Sequence, residues 1–517
     1  MSALPHFGAV VRNYAQLLPD KIGTRDLDRA MTFAQWNARS CRLANALLGL
    51  GLAKGDRVAV LAYNCLEWME IYAATAKAGL IAVPINFRLM GPEIRYIAQD
   101  CDARAFIVQE ELIERIDDIR RDLPIPPANY ICIGKAPAGY SAYEDFLAAA
   151  RDAEPAIEVV GEDPWALMYT SGTTGKPKGA IRNHRAGALL SVHTDVEMGF
   201  GREDSALLVM PMCHANSLYF GSAFTYLGAS TFVYNMKSVD PEHLLKMLAD
   251  SGATFTSLVP THYIMMLALS DQIRGRHNVD RMRKLLVSSA PARRDTKREI
   301  MEMFKNSGLF ELYGSTEAGW VTMLHPHEQF DKLGSVGREC IGSAPIKLLD
   351  VDGNEVEDGA VGELYHRTPY MFSGYWNLPE KTKEAFRGEY CTVGDMARRE
   401  ADGYYYLVDR KSNMIISGDE NIYPSEVENL LGSHHKVKEV AVIGLPDQKW
   451  GELVHAVVVL HDGAQTSQDE IIDWCKDKIA GYKRPRSISF IKYDEMPRTA
   501  TGKILHRVLR TQLNAGS

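Results

Sequence analysis

Three glycines, four hydroxyls and two lysines interleave in the run Tyr169-Thr170-Ser171-Gly172-Thr173-Thr174-Gly175-Lys176-Pro177-Lys178-Gly179. The glycines let the backbone fold tightly and turn its N–H groups toward one point. The hydroxyls add donors and the lysines add positive charge, which together suit a polyphosphate. The run is not a Walker A loop, because no Gly-Lys-Ser/Thr opens a helix at the required spacing. A mere surface turn would not need this composition. An apolar, strand-like stretch (Trp165 to Tyr169) leads into the run, and a helix is expected from near His184.

The elements that must position such a loop alternate regularly. Arg57 to Ala62, Ile81 to Ile85, Leu207 to Met210, Thr231 to Tyr234, Thr254 to Val259 and Lys284 to Ser288 read as strands. Glu67 to Ala78, Pro241 to Ser251 and Thr296 to Phe304 read as the helices between them. This rhythm predicts an α/β protein whose parallel sheets are covered on both faces. The texture changes near Asp409: Gly362 to Tyr375 and Tyr404 to Val408 read as short antiparallel strands. A compact α+β pattern follows, with strands at 440–443, 455–459 and 488–491 and a helix from Gln468 to Ile479.

Bulk numbers narrow the class. A chain of 517 residues exceeds one ordinary core, so at least two domains are expected. With 46% hydrophobic and 24% charged residues, the composition is that of a globular protein. The net charge of −8 argues against nucleic acid as a partner. No apolar run approaches the roughly 20 residues of a membrane span, and no secretory signal is visible at the start. Eight scattered cysteines without a Cys-x-x-Cys pair suit reduced thiols and a cytoplasmic location.

Further motifs follow in order: Tyr313-Gly314-Ser315-Thr316-Glu317, Gly394-Asp395, Asp409-Arg410, Ser417 to Pro424, and Pro497-Arg498-Thr499-Ala500-Thr501-Gly502-Lys503. Together with the 169–179 run, this series resembles the adenylate-forming enzymes, in their acyl-CoA and aryl-CoA ligase branch. The resemblance covers most of the chain. It implies a large N-terminal domain (1–410) of parallel sheets flanked by helices with a small β-barrel-like part. A small mobile α+β C-terminal domain (411–517) would carry the adenylation lysine.

It also implies a reaction: a carboxylate and ATP give an acyl-adenylate and pyrophosphate, and CoA then gives acyl-CoA and AMP. ATP, Mg²⁺ and CoA are the expected cofactor and co-substrates. By resemblance Thr170, Ser171, Gly172, Thr173, Thr174, Gly175 and Lys178 cradle the phosphates, and Glu317 with Thr170 holds the metal. Thr316 contacts the α-phosphate. Tyr313, Gly314 and Ser315 and the segment Ser289-Ala290-Pro291-Ala292 line the adenine site. Asp395, following a glycine, pairs with the ribose hydroxyls, and Arg410 lies beside it. Lys503 is the adenylation lysine. The segment from Gly502 reads as the start of an amphipathic helix, where a cation is disfavoured by about 0.3–1 kcal/mol, so fold stability does not explain it.

His214, after the strand Leu207 to Met210, matches a position that lines the acyl site and shifts on substrate binding. Gly314, Trp320 and Val321 match the far wall of the acyl pocket, with His193, His262 and Tyr263 as further lining. A bulky Trp320 favours a short, medium, cyclic or aromatic acid. Two positions depart from the family: Ser412 at the hinge, usually Asp or Lys, and Asp419 where glycine borders the CoA tunnel beside Ser417 and Gly418. These predict intact adenylation and a slower CoA step.

A homodimer and a protein acetyltransferase acting on Lys503 are the further partners the resemblance admits. Two other readings stay open. One is an acyl-AMP ligase that loads a carrier protein, although no carrier attachment motif follows Lys503. The other is a non-catalytic nucleotide-binding homologue, against which the joint presence of Lys178, Glu317, Asp395, Arg410 and Lys503 argues.

Overall fold

The computed structural model describes residues 4–170, 176–288, 292–417, 420–476, 478–499 and 502–514. Contacts divide the chain into two compact units. The first is Met1–Pro345 with His366–Cys391, and the second is Ile346–Tyr365 with Thr392–Ser517.

Helix α1 (Gly91–Asp100) belongs to the first unit and flanks a seven-stranded sheet. That sheet runs Ser141–Ala142, Tyr130–Ile133, Ala103–Gln109, Arg57–Leu61, Ile81–Ile85, β1 (Pro164–Thr170) and β2 (Lys178–Asn183). Every pair is parallel except β1 with β2. Strand alternation explains why these segments read as unbroken apolar runs: Val58 and Val60 enter one hydrophobic cluster, Ala59 and Leu61 another.

A nine-stranded sheet completes the unit, and helices α2 (His184–Met198) and α3 (Ala215–Leu227) pack together against it. Asn183 starts α2 by accepting the Ala186 N–H at 2.7 Å. The sheet's centre is parallel, from Ile22–Arg25 through Ser230–Val233, Ser205–Leu208, Phe255–Leu258 and Lys284–Val287 to β3 (Gly308–Ser315). Next to β3 lies β4 (Gly319–Leu324), which returns antiparallel and pairs in turn with the edge strand Arg338–Glu339. Ala206 and Leu208 pack with Leu218, Phe220 and Phe224 of α3, whereas Leu207 and Val209 pack with Leu244, Leu248 and Tyr263 on the other face.

The second unit holds two sheets. A four-stranded antiparallel sheet comprises Lys347–Leu349, Val361–Tyr365, β5 (Asp395–Arg399) and β6 (Tyr405–Arg410). The chain leaves it at Arg410 and enters a five-stranded sheet at Ile415. Val440, Val442, Val454 and Val458 pack on the helices Pro424–Leu431 and Gln468–Trp474. Ala441, Ile443, Val457 and Val459 pack on Leu509 of α4 (His506–Asn514). The expected division at 410/411 falls inside this unit, between its two sheets.

Three local expectations are corrected. The strand read over 362–375 ends at Tyr365, because His366 turns away to exchange both main-chain hydrogen bonds with Cys391 in the first unit. The helix read over 468–479 ends at Trp474. The last helix begins at His506, not at Gly502, which holds φ +83° and cannot open a helix. All eight cysteines are buried and none forms a disulfide. Among the described residues no helix is long and apolar enough to cross a membrane.

Candidate active site

Register on the β1–β2 hairpin sets Thr170 opposite Lys178. Thr170 meets the turn that follows β3 of the nine-stranded sheet, and Lys178 meets Tyr375. Thr170 Oγ1 donates to Glu317 Oε1 at 3.2 Å, and Tyr375 Oη donates to the same oxygen at 3.0 Å. Lys178 Nζ lies 4.1 Å from the centre of the Tyr375 ring. Burial holds the Lys178 pKa below the ordinary lysine value, with the Glu317 carboxylate acting in the opposite direction.

Glu317 sits at the middle of the three-residue turn between β3 and β4 and is 6% exposed. The pairing Ser315–Gly319 and Gly314–Trp320 brings these backbones unusually close. A Cβ on Gly314 would stand 2.3 Å from the Gly319 carbonyl oxygen, and Gly319 holds φ +72°. Arg182, 1% exposed, supports the turn from beneath. It donates to the main-chain oxygens of Thr316 and Glu317 at 3.2 and 3.1 Å and of Tyr370 at 2.7 Å. The Phe372 N–H also reaches the Glu317 carbonyl, at 2.7 Å, and the Tyr219 hydroxyl reaches that of Thr316 at 3.3 Å. Few rotations remain for this backbone.

Tyr313 is buried on β3. Ser315 caps the turn by accepting the Ala318 N–H at 2.9 Å. The expected adenine segment Ser289-Ala290-Pro291 lies outside the described residues, as do Ser171, Gly172, Thr173, Thr174 and Gly175 of the loop. The residue that follows the adenine segment is anchored. Glu311 takes the Ala292 N–H at 3.0 Å on one oxygen and the buried Lys297 ammonium at 2.5 Å on the other.

Three further residues gather in the second unit. Asp395 on β5 and Arg410 on β6 are register partners, with Arg410 Nε 2.9 Å from Asp395 Oδ1. Lys503 lies on a turn in which its N–H donates to Thr499 Oγ1 at 3.0 Å and its carbonyl accepts from Thr499 at 2.7 Å. Its side chain keeps solvent contact, yet its pKa sits below the ordinary lysine value. Crowding by protein is the main cause and the Arg410 cation the second; Asp395 and Asp409 pull the other way. Ser412 is exposed on the turn after β6, and Ser417 is buried at a strand end. Gly418 and Asp419 lie outside the described residues.

The expected acyl-lining residues divide. Trp320 is 6% exposed, donates its indole N–H to Thr194 Oγ1 at 2.8 Å, and stacks on Phe220 with centroids 5.2 Å apart. His214, at the N-cap of α3, and His262 each carry a buried ring nitrogen without a partner. Burial first and the Arg88 charge second hold both near pKa 4, so both are neutral at pH 7. His193 Nδ1 is 2.9 Å from the Ile341 carbonyl oxygen, and its ring meets Tyr370 edge-on. Tyr263 is committed to packing across the sheet from α3 and gives its hydroxyl to the Leu286 carbonyl. Val321 is passed over by the β3–β4 pairing, and its carbonyl accepts from Cys340.

Within the first unit, a buried carboxylate at Glu317 lies beside the Lys178 ammonium; within the second, the Asp395 carboxylate is paired with Arg410. Residues 11–376 match the AMP-binding enzyme family, and residues 426–503 match the AMP-binding enzyme C-terminal domain. The chain belongs to the AMP-binding enzyme family. It is 35% identical to a feruloyl-CoA synthase of Amycolatopsis sp over 498 residues, 96% of each chain. It is 34% identical to the long-chain-fatty-acid–CoA ligase FadD13 of Mycobacterium tuberculosis over 495 residues, 94% of each. Among solved structures it resembles the anthranilate CoA ligase AuaEII in complex with anthranoyl-AMP, at 30% identity and a TM-score of 0.88, over 100% of this chain and 99% of that one. This member of the family is therefore an AMP-forming acid–thiol ligase.

Sequence reasoning did not assign Arg182, Tyr375, Arg88 or Glu311 to this candidate site. Arg182 sits in the strand Lys178–Asn183 at a sheet edge, where an arginine reads as solvated. Only the approach of the second sheet buries it. Tyr375, in Gly374-Tyr375-Trp376, carries no periodic signal at all.

Proposed function

We propose that this AMP-forming acid–CoA ligase activates a compact aromatic or cyclic carboxylic acid. The observation that supports this acid class is Trp320. Its indole is hydrogen-bonded to α2, packed on α3 and nearly fully buried, so it cannot swing aside to admit a long chain without losing those contacts. Similarity alone does not choose the acid, since an aryl and a long-chain ligase are nearly equally close.

The chemistry assigned to each residue follows from its surroundings. Both donors to Glu317 converge on Oε1, and no hydrogen bond from the described residues reaches Oε2, an arrangement that fits a hard cation. Glu317 and Thr170 would hold Mg²⁺, which when bound neutralises phosphate charge. Lys178, partly desolvated, would donate charge-assisted hydrogen bonds to phosphate oxygens. Asp395 presents a carboxylate to the ribose hydroxyls, with Arg410 fixing its orientation. Lys503 brings a cation to the carboxylate and α-phosphate oxygens as charge develops there.

The acid's oxygen attacks the α-phosphorus and pyrophosphate leaves with the bond electrons. The CoA sulfur then attacks the acyl carbon, its proton is lost, and AMP departs. Rotation of the part after Arg410 about 411–414 would exchange the two half-reactions, with Ser412 at the pivot. Asp419 stands where the family pattern has glycine beside the CoA path, so replacing it with glycine should speed thioester formation alone. Activity in the cytoplasm fits eight thiols that form no disulfide.

AMP and pyrophosphate release with Mg-ATP, measured across short, medium, long and aromatic acids with and without CoA, tests this reading. Sustained turnover on aromatic acids only with CoA supports it. Best turnover on long chains rejects the acid class. A single CoA-independent burst of pyrophosphate instead favours transfer to a carrier protein.

A further inference from the structure

The contacts of Glu317 are lopsided. A carboxylate turns about its last torsion with a broad, two-fold preference, so an unrestrained Glu offers either oxygen to a cation. Here Thr170 and Tyr375 both donate to Oε1, at 3.2 and 3.0 Å. Two donors on one oxygen stop that rotation and direct the other oxygen away from the protein donors.

Tyr375 is equipped for this task. It is 6% exposed, its N–H donates to Thr382 Oγ1 at 2.9 Å, and its ring meets Phe372 edge-on with centroids 4.9 Å apart. The same ring carries Lys178 on its face, 4.1 Å from the centroid. One side chain thus touches both the carboxylate and the ammonium of the centre. A cation on a ring face is held more weakly than a cation on phosphate, so the lysine is seated without being trapped.

We propose that Tyr375 is a positioning residue of the adenylation centre: it fixes which Glu317 oxygen faces the metal and seats Lys178 until a polyphosphate arrives. The proposal rests on the reading that Glu317 and Lys178 receive Mg-ATP. Thr170 restrains the same oxygen from the β1–β2 hairpin, while Tyr375 does so from the segment that follows residue 366. The two segments of chain that must agree on the carboxylate's orientation, at Thr170 and Tyr375, are far apart in sequence.

The test uses the full chain, Mn²⁺ as the metal probe, and a non-hydrolysable ATP analogue. Mn²⁺ binding is read by electron paramagnetic resonance, and metal-free nucleotide binding by calorimetry. Tyr375→Phe keeps the ring under Lys178 and removes the hydroxyl. It should weaken Mn²⁺ binding about tenfold, the scale of one hydrogen bond to a charged group, and leave metal-free nucleotide affinity unchanged. Tyr375→Leu should lose metal affinity equally and also alter metal-free nucleotide affinity. Thr170→Val, which leaves the tyrosine in place, should weaken Mn²⁺ binding in the same direction and serves if Tyr375→Leu does not fold. Wild-type Mn²⁺ affinity in Tyr375→Phe overturns the proposal alone. Wild-type protein that binds no Mn²⁺ with nucleotide overturns the Mg-ATP reading, and the proposal with it.

Discussion

Arg182 donates to the main-chain carbonyl of Glu317 at 3.1 Å, so the proposed metal ligand, on a turn of one sheet, is held in place by a buried arginine of the other. Two further carbonyls share the same guanidinium, and among the described residues no carboxylate is paired with it. Arg182→Leu should leave three buried carbonyls short of a donor and cost about 3–5 kcal/mol, measured by urea unfolding. Arg182→Lys, which cannot span three acceptors from one planar group, should recover less than half of that. Wild-type stability in Arg182→Lys would count against a bridging role.

Glu317→Gln keeps an acceptor for Thr170 and Tyr375 but removes the negative charge. Acid-dependent pyrophosphate exchange should fall by on the order of 10²–10³ while the fold is unchanged by circular dichroism. Chelation of divalent metal should reproduce that loss in the wild type and add nothing in the variant.

On the proposed reading Lys503 acts as a cation, and its pKa lies below the ordinary lysine value. The active form is then the protonated one, so adenylation should fall as pH rises through that lowered value. Lys503→Arg, always charged, should retain residual adenylation without that alkaline limb. Lys503→Met should abolish adenylation yet still convert supplied acyl-adenylate to thioester. Acetylation of Lys503 should have the effect of the Met variant, checked by mass spectrometry of the modified protein.

His184 is buried against Trp165 with neither ring nitrogen hydrogen-bonded, and burial lowers its pKa to about 3. His6, 5.4 Å away, is lowered to about 4 by burial and by Lys77 and Arg12. A base whose folded pKa lies below its unfolded value contributes nothing to pH dependence above about 6.5. Below that pH the unfolded chain takes up more protons, and stability is lost as pH falls toward 4, by up to about 1.4 kcal/mol per pH unit for each group. His184→Phe, which keeps a ring on Trp165, should flatten the melting temperature between pH 4 and 6.5. An unchanged slope would place the acid sensitivity elsewhere.

Trp320→Ala should move acid preference toward longer chains and cost about 3–5 kcal/mol of stability. Thr194→Val frees the indole N–H without emptying its space. It should broaden the acid range with a smaller stability loss, read from the same acid panel.

Much of this could be read without a structure. The parallel α/β rhythm was visible because strands buried on both faces are uniformly apolar, as at Val58 to Leu61 and Leu207 to Val209. The motif residues Thr170, Lys178, Glu317, Asp395, Arg410 and Lys503 were visible because their chemistry is local to short runs. Errors arose where a boundary depends on a distant partner. The strand from 362 ends at Tyr365 because His366 pairs with Cys391, and no local signal announces that.

By itself, then, the sequence determined the fold class, the family and the chemical kind of each motif residue, since apolar period and side-chain type are properties of neighbours along the chain. Tertiary structure alone decided the grouping. It set Thr170 and Tyr375 on one oxygen of Glu317, buried Arg182 under the turn, and withdrew Tyr263 into the core. The physical reason is that hydrogen bonds and burial between segments far apart depend on how two sheets approach each other, and no window of sequence contains both sides of that contact.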